Sequence, residues 1–133
     1  LAEAIPAGKF AWRPAQGVRS TSEVFMHIAL ANFSLLNVTG VKMPAGLTSP
    51  DMEKTVTAKP EVVSWLKRSM EAVKTAHANL KPGELQSKVK VNGRDANVEG
   101  MYLRMLVHAN EHMGQLVAYA RMNGITPPWS AGK

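Results

Sequence analysis

The stretch GVKMPAGLTSPDMEKTVTA, residues 40–58, decides the fold. It carries Pro44, Gly46 and Pro50 and separates two stretches of helical periodicity. Antiparallel neighbouring helices need only a short loop. Parallel ones need a strap that runs the length of the bundle. Nineteen residues at about 3.3 Å each can span the ~30 Å of a twenty-residue helix. The two helices it joins are therefore expected to run parallel. Inside it, SPDME can form one helical turn, with Ser49 as cap and Pro50 at the first position.

Ahead of this strap lies STSE, residues 20–23. Ser20 can accept from the backbone of Glu23, and Glu23 can reach back to Ser20, which is a capping box. A helix should start here and run to about Thr39, stopping at Gly40. Val24, His27, Ala31, Leu35 and Val38 fall on one face. KFAWRPAQGVR before it reads as a loop, and LAEAIPA at the start as the end of a helix, with Pro6 and Gly8 as stop signals.

After the strap, Lys59-Pro60 opens a helix with Glu61 at its positive end. Its apolar stripe is Val62, Leu66, Met70, Val73, His77 and Leu80, and Lys81-Pro82-Gly83 ends it. Val-Lys-Val before Asn92-Gly93 is a weak hairpin signal, expected to be only a turn because no alternating partner strand follows. Asn97 can cap the last helix, which runs to about Asn123 and stops at Gly124. Met101, Met105, His108, His112, Leu116 and Tyr119 share one of its faces.

The 133 residues fit a single domain, 1–133, with a real core. No apolar run approaches the ~18 residues of a membrane span, and no membrane partner is expected. With no cysteine, disulfides and thiolate metal sites are excluded. The net charge of +6 is compatible with anionic partners. However, the basic residues are scattered, and the densest set, Lys88 to Arg94, lacks aromatics. A solvated surface is the simpler reading, and no nucleic-acid partner is expected. No signal-peptide pattern is visible, so the cytoplasm is the default location. Three long helices with a parallel pair would leave a groove uncovered, so a longer first helix is expected before Leu1.

His108 and His112 are one helical turn apart, and both rings leave the core face. A buried imidazole needs partners for its polar atoms. Two such rings are satisfied together when their lone pairs converge on a metal ion. His27, mid-stripe on another helix, can supply a third nitrogen. His77, near a helix end, reads instead as a partly exposed residue favoured by the helix dipole. HANEH, residues 108–112, also matches the H-x-x-E-H pattern of metalloproteases. Glu111 would be the base there, but on an ideal helix it points about 80° away from the histidine face. Gly114 costs about 1 kcal/mol inside a helix, which a close helix approach beside the site would justify. Gln115 is close enough to hydrogen-bond the His112 ring or a metal-bound water.

Two segments, WRPAQGVRSTSEVFMHIALAN (12–32) and LVHANEHMGQLVAYARMNGITPPW (106–129), resemble the DinB/YfiT-like family of metalloenzymes. His27, His108, His112, Gly114, Gln115, Arg121, Gly124, Pro127 and Pro128 match that family's pattern. The resemblance covers nearly the whole chain. It implies an all-α fold, a four-helix bundle of up-down-down-up path with a long crossover between the second and third helices. The first helix would then be largely missing before Leu1. It also implies a homodimer, and a divalent metal, zinc or nickel, held by His27, His108 and His112.

Three neutral ligands leave a metal its full charge and an open position, the mark of a catalytic site. The family implies a transferase or isomerase that activates a low-molecular-weight thiol for attack on an electrophilic substrate. Arg13 is a candidate for holding an anionic substrate group, with surface solvation the simpler reading. The alternatives are a metal-dependent hydrolase and a non-catalytic metal-binding or interaction module.

Overall fold

A computed structural model describes residues 1–47 and 49–132; Thr48, in the connector, and the terminal Lys133 lie outside them. The elements are α1 (Thr21–Val38), α2 (Met52–Thr55), α3 (Lys59–Ala78), β1 (Lys88–Val91), β2 (Arg94–Asn97) and α4 (Val98–Met122). The fold is mostly helical with one small two-stranded sheet.

Most local signals act where the sequence puts them. The N–H of Glu23 donates to Ser20 Oγ at 3.3 Å, and the N–H of Ser20 donates to the Glu23 carboxylate at 2.8 Å. This capping box starts α1, and Gly40, with φ of 94°, ends it in a conformation that favours glycine. Asn97 caps α4 by accepting from the N–H of Gly100 at 2.8 Å. The short helix of the strap starts later than expected, at Met52 and not at Pro50, with Asp51 and not Ser49 at its N-cap; Ser49 Oγ accepts from the N–H of Asp51 ahead of it. Among the described residues, no helix is long and apolar enough to cross a membrane.

Helix α1 is the centre of the molecule and packs on both α3 and α4. Asn32 Nδ2 donates to Ser69 Oγ at 3.2 Å, and Phe33 meets Trp65 edge to face. Val24 and Val62 share one end of the core, and Leu36 lies with Ala72, Val73 and Ala76 at the other. The N-terminal halves of α1 and α3 thus lie together, and so do their C-terminal halves. The two helices are parallel, as the strap requires. Helix α4 runs the other way: Met101 and Met105 meet Leu36, while Tyr119 reaches back to Arg19.

Four other expectations change. The core face of α1 is wider than the stripe Val24, His27, Ala31, Leu35 and Val38. Phe25, Met26, Ile28, Ala29, Asn32, Phe33 and Leu36 are buried with Val24, while the other four are only half-buried. A helix covered on two sides buries two faces, so one stripe is too narrow. Helix α3 is rotated by about one residue: it buries Val62, Trp65 and Ser69 and exposes Met70 and His77. The Ser69 hydroxyl is tolerated inside because Asn32 satisfies it. Leu1 to Ile5 form a turn and not a helix end, although Ala2 and Ile5 are buried in the core. Lys59 anchors that turn by donating from Nζ to the carbonyls of Glu3 and Ile5, each at 2.7 Å.

The fourth change is the hairpin. Lys88–Val91 and Arg94–Asn97 pair antiparallel, with Val91 opposite Arg94. Asn92 and Gly93 both take positive φ, 50° and 79°, as a two-residue hairpin loop requires. Val89, Val91 and Ala96 lie against the Leu36–Met101–Met105 cluster. That packing supplies the apolar face a marginal hairpin needs.

Candidate metal centre

Three imidazoles meet between α1 and α4. One ligating nitrogen from each of His27, His108 and His112 lies within 4.8 Å of the other two. His27 Nε2 is 3.1 Å from His108 Nε2. The rings stand 4.6–4.9 Å apart between centroids. The 3.6-residue period of α4 puts His108 and His112 on one face, and the antiparallel packing of α1 brings His27 opposite them.

Glu53, on α2, lies 2.8 Å from His27 Nδ1 through Oε2, and the Arg19 guanidinium donates to both of its oxygens. Gln115 Oε1 lies 2.8 Å from His112 Nδ1. Gln115 Nε2 donates to the Tyr119 hydroxyl at 2.8 Å, and that hydroxyl donates to the Arg19 carbonyl at 3.0 Å. His108 differs. It is buried, and its Nδ1 has no hydrogen-bond partner among the described residues.

Burial pushes the His108 pKa down to about 4, helped by His112, His27 and Arg104. Burial also lowers that of His27, outweighing its bond to Glu53. Burial alone would raise the Glu53 carboxyl. The hydrogen bonds from Arg19 and His27 win and hold it below the usual carboxylate range. At neutral pH, His27 and His108 are therefore neutral imidazoles and Glu53 is an anion. Neutral imidazole is the form that ligates metal.

The set fits a divalent transition metal. Tetrahedral zinc with Zn–N near 2.0–2.1 Å places ligand nitrogens about 3.3 Å apart. The His27–His108 pair is already at that spacing.

Beside the cluster opens a cleft of about 760 Å³, lined by Arg13, Gly17, Val18, Arg19, Glu23, Glu53, Lys54 and Gln115. Glu53 and Gln115 belong to both the cleft wall and the histidine cluster. Arg13 is one of the residues that line this cleft. Its guanidinium also donates to the Val18 carbonyl and to Glu23, at 2.8 and 2.9 Å.

At the site one expectation fails, the close approach at Gly114, and one holds, the outward direction of Glu111. A Cβ on Gly114 would meet nothing within 4 Å, so no element approaches closely there. Glu111 is exposed and pairs with Arg104 at 3.4 Å, away from the cluster, which removes the metalloprotease reading of HANEH. The sequence reading also missed Arg19, Glu53 and Tyr119. Tyr119 left one usable signal, since a hydroxyl in a core stripe needs a partner.

Fold and site together define a helical protein with a three-histidine pocket between antiparallel helices. The chain belongs to the DinB superfamily, whose sequence pattern matches residues 1–116. A DinB-like protein from Bacillus cereus ATCC 10987 shares the fold at TM-score 0.77 and 19% identity, over 96% of this chain and 83% of that one. The DinB-like protein YjoA of Bacillus subtilis shares it at 0.72 and 19%, over 95% and 83%. No curated protein matches the chain.

Proposed function

We propose that this protein is a metal-dependent enzyme of the thiol-transferase or isomerase type, with His27, His108 and His112 as metal ligands. The observation that carries the reading is the convergence of three imidazoles within 4.8 Å, two of them held neutral by burial, next to an open cleft. A zinc or nickel ion held there would supply Lewis acidity, lowering the pKa of a bound low-molecular-weight thiol.

The chain's own residues do the rest. Glu53 and Gln115 hold the outer nitrogens of His27 and His112. Arg13, Arg19 and Lys54 give the cleft cations for an anionic group on the thiol or its electrophilic partner. The proposal includes a cytoplasmic four-helix bundle of up-down-down-up path. It also includes a homodimer. Leu103, Leu106 and Val107 expose an apolar patch on α4 for a second copy. Light scattering on the full protein tests the dimer, and Leu106→Glu should give the monomer.

Elemental mass spectrometry on untagged protein tests the metal, with one ion per chain expected and loss in His27→Ala or His112→Ala. Metal-loaded protein should then consume an electrophile only when a thiol is added. Turnover of esters, amides or phosphoesters without thiol would instead favour a hydrolase. A protein that takes up no zinc or nickel would leave a binding module as the better reading.

A further inference from the structure

Both hydrogen-bond chains behind the histidines end on one residue, Arg19. We infer that Arg19, Glu53 and Tyr119 are positioning residues that fix the tautomers of His27 and His112, leaving both Nε2 lone pairs free before a metal arrives. The inference rests on the metal-site reading for its purpose, but not for its test.

The polarity of the first chain follows from what each group can do. The Arg19 carbonyl only accepts, so the Tyr119 hydroxyl proton is committed to it. The Tyr119 oxygen is then the acceptor for Gln115 Nε2. That sets the amide orientation and turns Oε1 toward His112 Nδ1. An oxygen acceptor at 2.8 Å requires a proton on Nδ1. In the neutral form the ring has only one N–H, so Nε2 of that form carries the lone pair.

The second chain runs through the Arg19 side chain. A guanidinium only donates, and it engages both oxygens of Glu53. The paired carboxylate only accepts, so His27 Nδ1 donates to it. His27 Nε2 therefore also carries a lone pair. Arg19 itself is held at the entrance to α1, where the N–H groups of Thr21 and Ser22 bond to the carbonyls of Trp12 and Phe10.

His108 is the exception that makes the scheme economical. Among the described residues no partner fixes its Nδ1. Without metal, its Nε2 donates across 3.1 Å to the lone pair of His27 Nε2. Only this one ring has to change tautomer when all three Nε2 atoms become ligands. A merely structural network would tie the strap and α4 to the entrance loop without caring where the ring protons sit.

The test is long-range proton–nitrogen correlation of the imidazoles in the uniformly ¹⁵N-labelled, metal-free full chain at neutral pH. His27 and His112 should be protonated on Nδ1, and His108 on Nε2. Glu53→Ala should convert His27 alone to a tautomer mixture. Tyr119→Phe keeps the ring packing, releases the Gln115 amide, and should convert His112 alone. Each variant should lose about 10–100-fold in zinc affinity by chelator competition. Nε2 protonation of His27 or His112 in the parent would overturn the inference, as would tautomers unchanged in folded variants. The expected tautomers in a protein that binds no zinc would uphold the positioning network and sink the metal reading instead.

Discussion

His27 and His108 face each other across the α1–α4 interface with their Nε2 atoms 3.1 Å apart. They are 81 residues apart in sequence, and one of them is buried with its other nitrogen unpartnered. A core built only for stability would not place an unsatisfied imidazole there, because such a group costs about 1–3 kcal/mol.

That cost can be measured. His108→Leu removes the orphaned nitrogen at similar volume and also removes the bond to His27, a net loss of about 1 kcal/mol. The two effects nearly cancel. Urea denaturation of the metal-free variant should give a midpoint equal to or above the parent's, while metal binding disappears. A loss of several kcal/mol would show that the ring is a structural core residue.

Acid should unfold the metal-free protein through this cluster. The unfolded His108 titrates near 6.5 and the folded one near 4. Between those values the unfolded chain binds more protons, so stability rises with pH. The contribution of the neutral ring is complete above about 6.5 and is lost as pH falls toward 4, with His27 shifted in the same direction. Thermal unfolding from pH 8 to 4 should show Tm declining mainly below 6.5, and His108→Leu should flatten that decline. A decline identical in the variant would place the titrating group elsewhere.

Glu111→Gln should leave metal content and any activity unchanged, since Glu111 is exposed and pairs with Arg104, away from the histidines. Surface pairs of this kind contribute about 0–1 kcal/mol. Loss of turnover with metal retained would revive the general-base role that HANEH suggests.

Ser69→Ala tests the α1–α3 interface away from the histidines. It deletes the acceptor of Asn32 Nδ2 in a buried position. The expected cost is about 1–3 kcal/mol in denaturant unfolding, with metal affinity unaltered. A near-zero cost would mean that Asn32 finds another partner or water.

Much of the fold was legible because its signals act over a few residues. The Ser20–Glu23 capping box, the Asn97 cap and the glycines at 40 and 124 are decided by neighbouring side chains and by φ. So is the pairing of His108 with His112, which needs only the helical period. The strap length constrained the direction of two helices because chain reach is a covalent property. The hairpin was underread for the opposite reason: its Asn92-Gly93 turn is local, but the support of Val89, Val91 and Ala96 is tertiary.

The sequence by itself determined where helices start and stop, that α1 and α3 run parallel, and which histidines share a turn. These follow from hydrogen bonding within four residues and from the reach of the backbone. Only the tertiary structure decided that α1 is covered on two sides, that α3 turns Trp65 and Ser69 inward, and that Gly114 faces open space. Only the tertiary structure joined Glu53 to His27 across 26 residues and Tyr119 to Arg19 across 100. Contacts at that separation leave no periodicity to read, because they depend on how whole helices rotate as they pack.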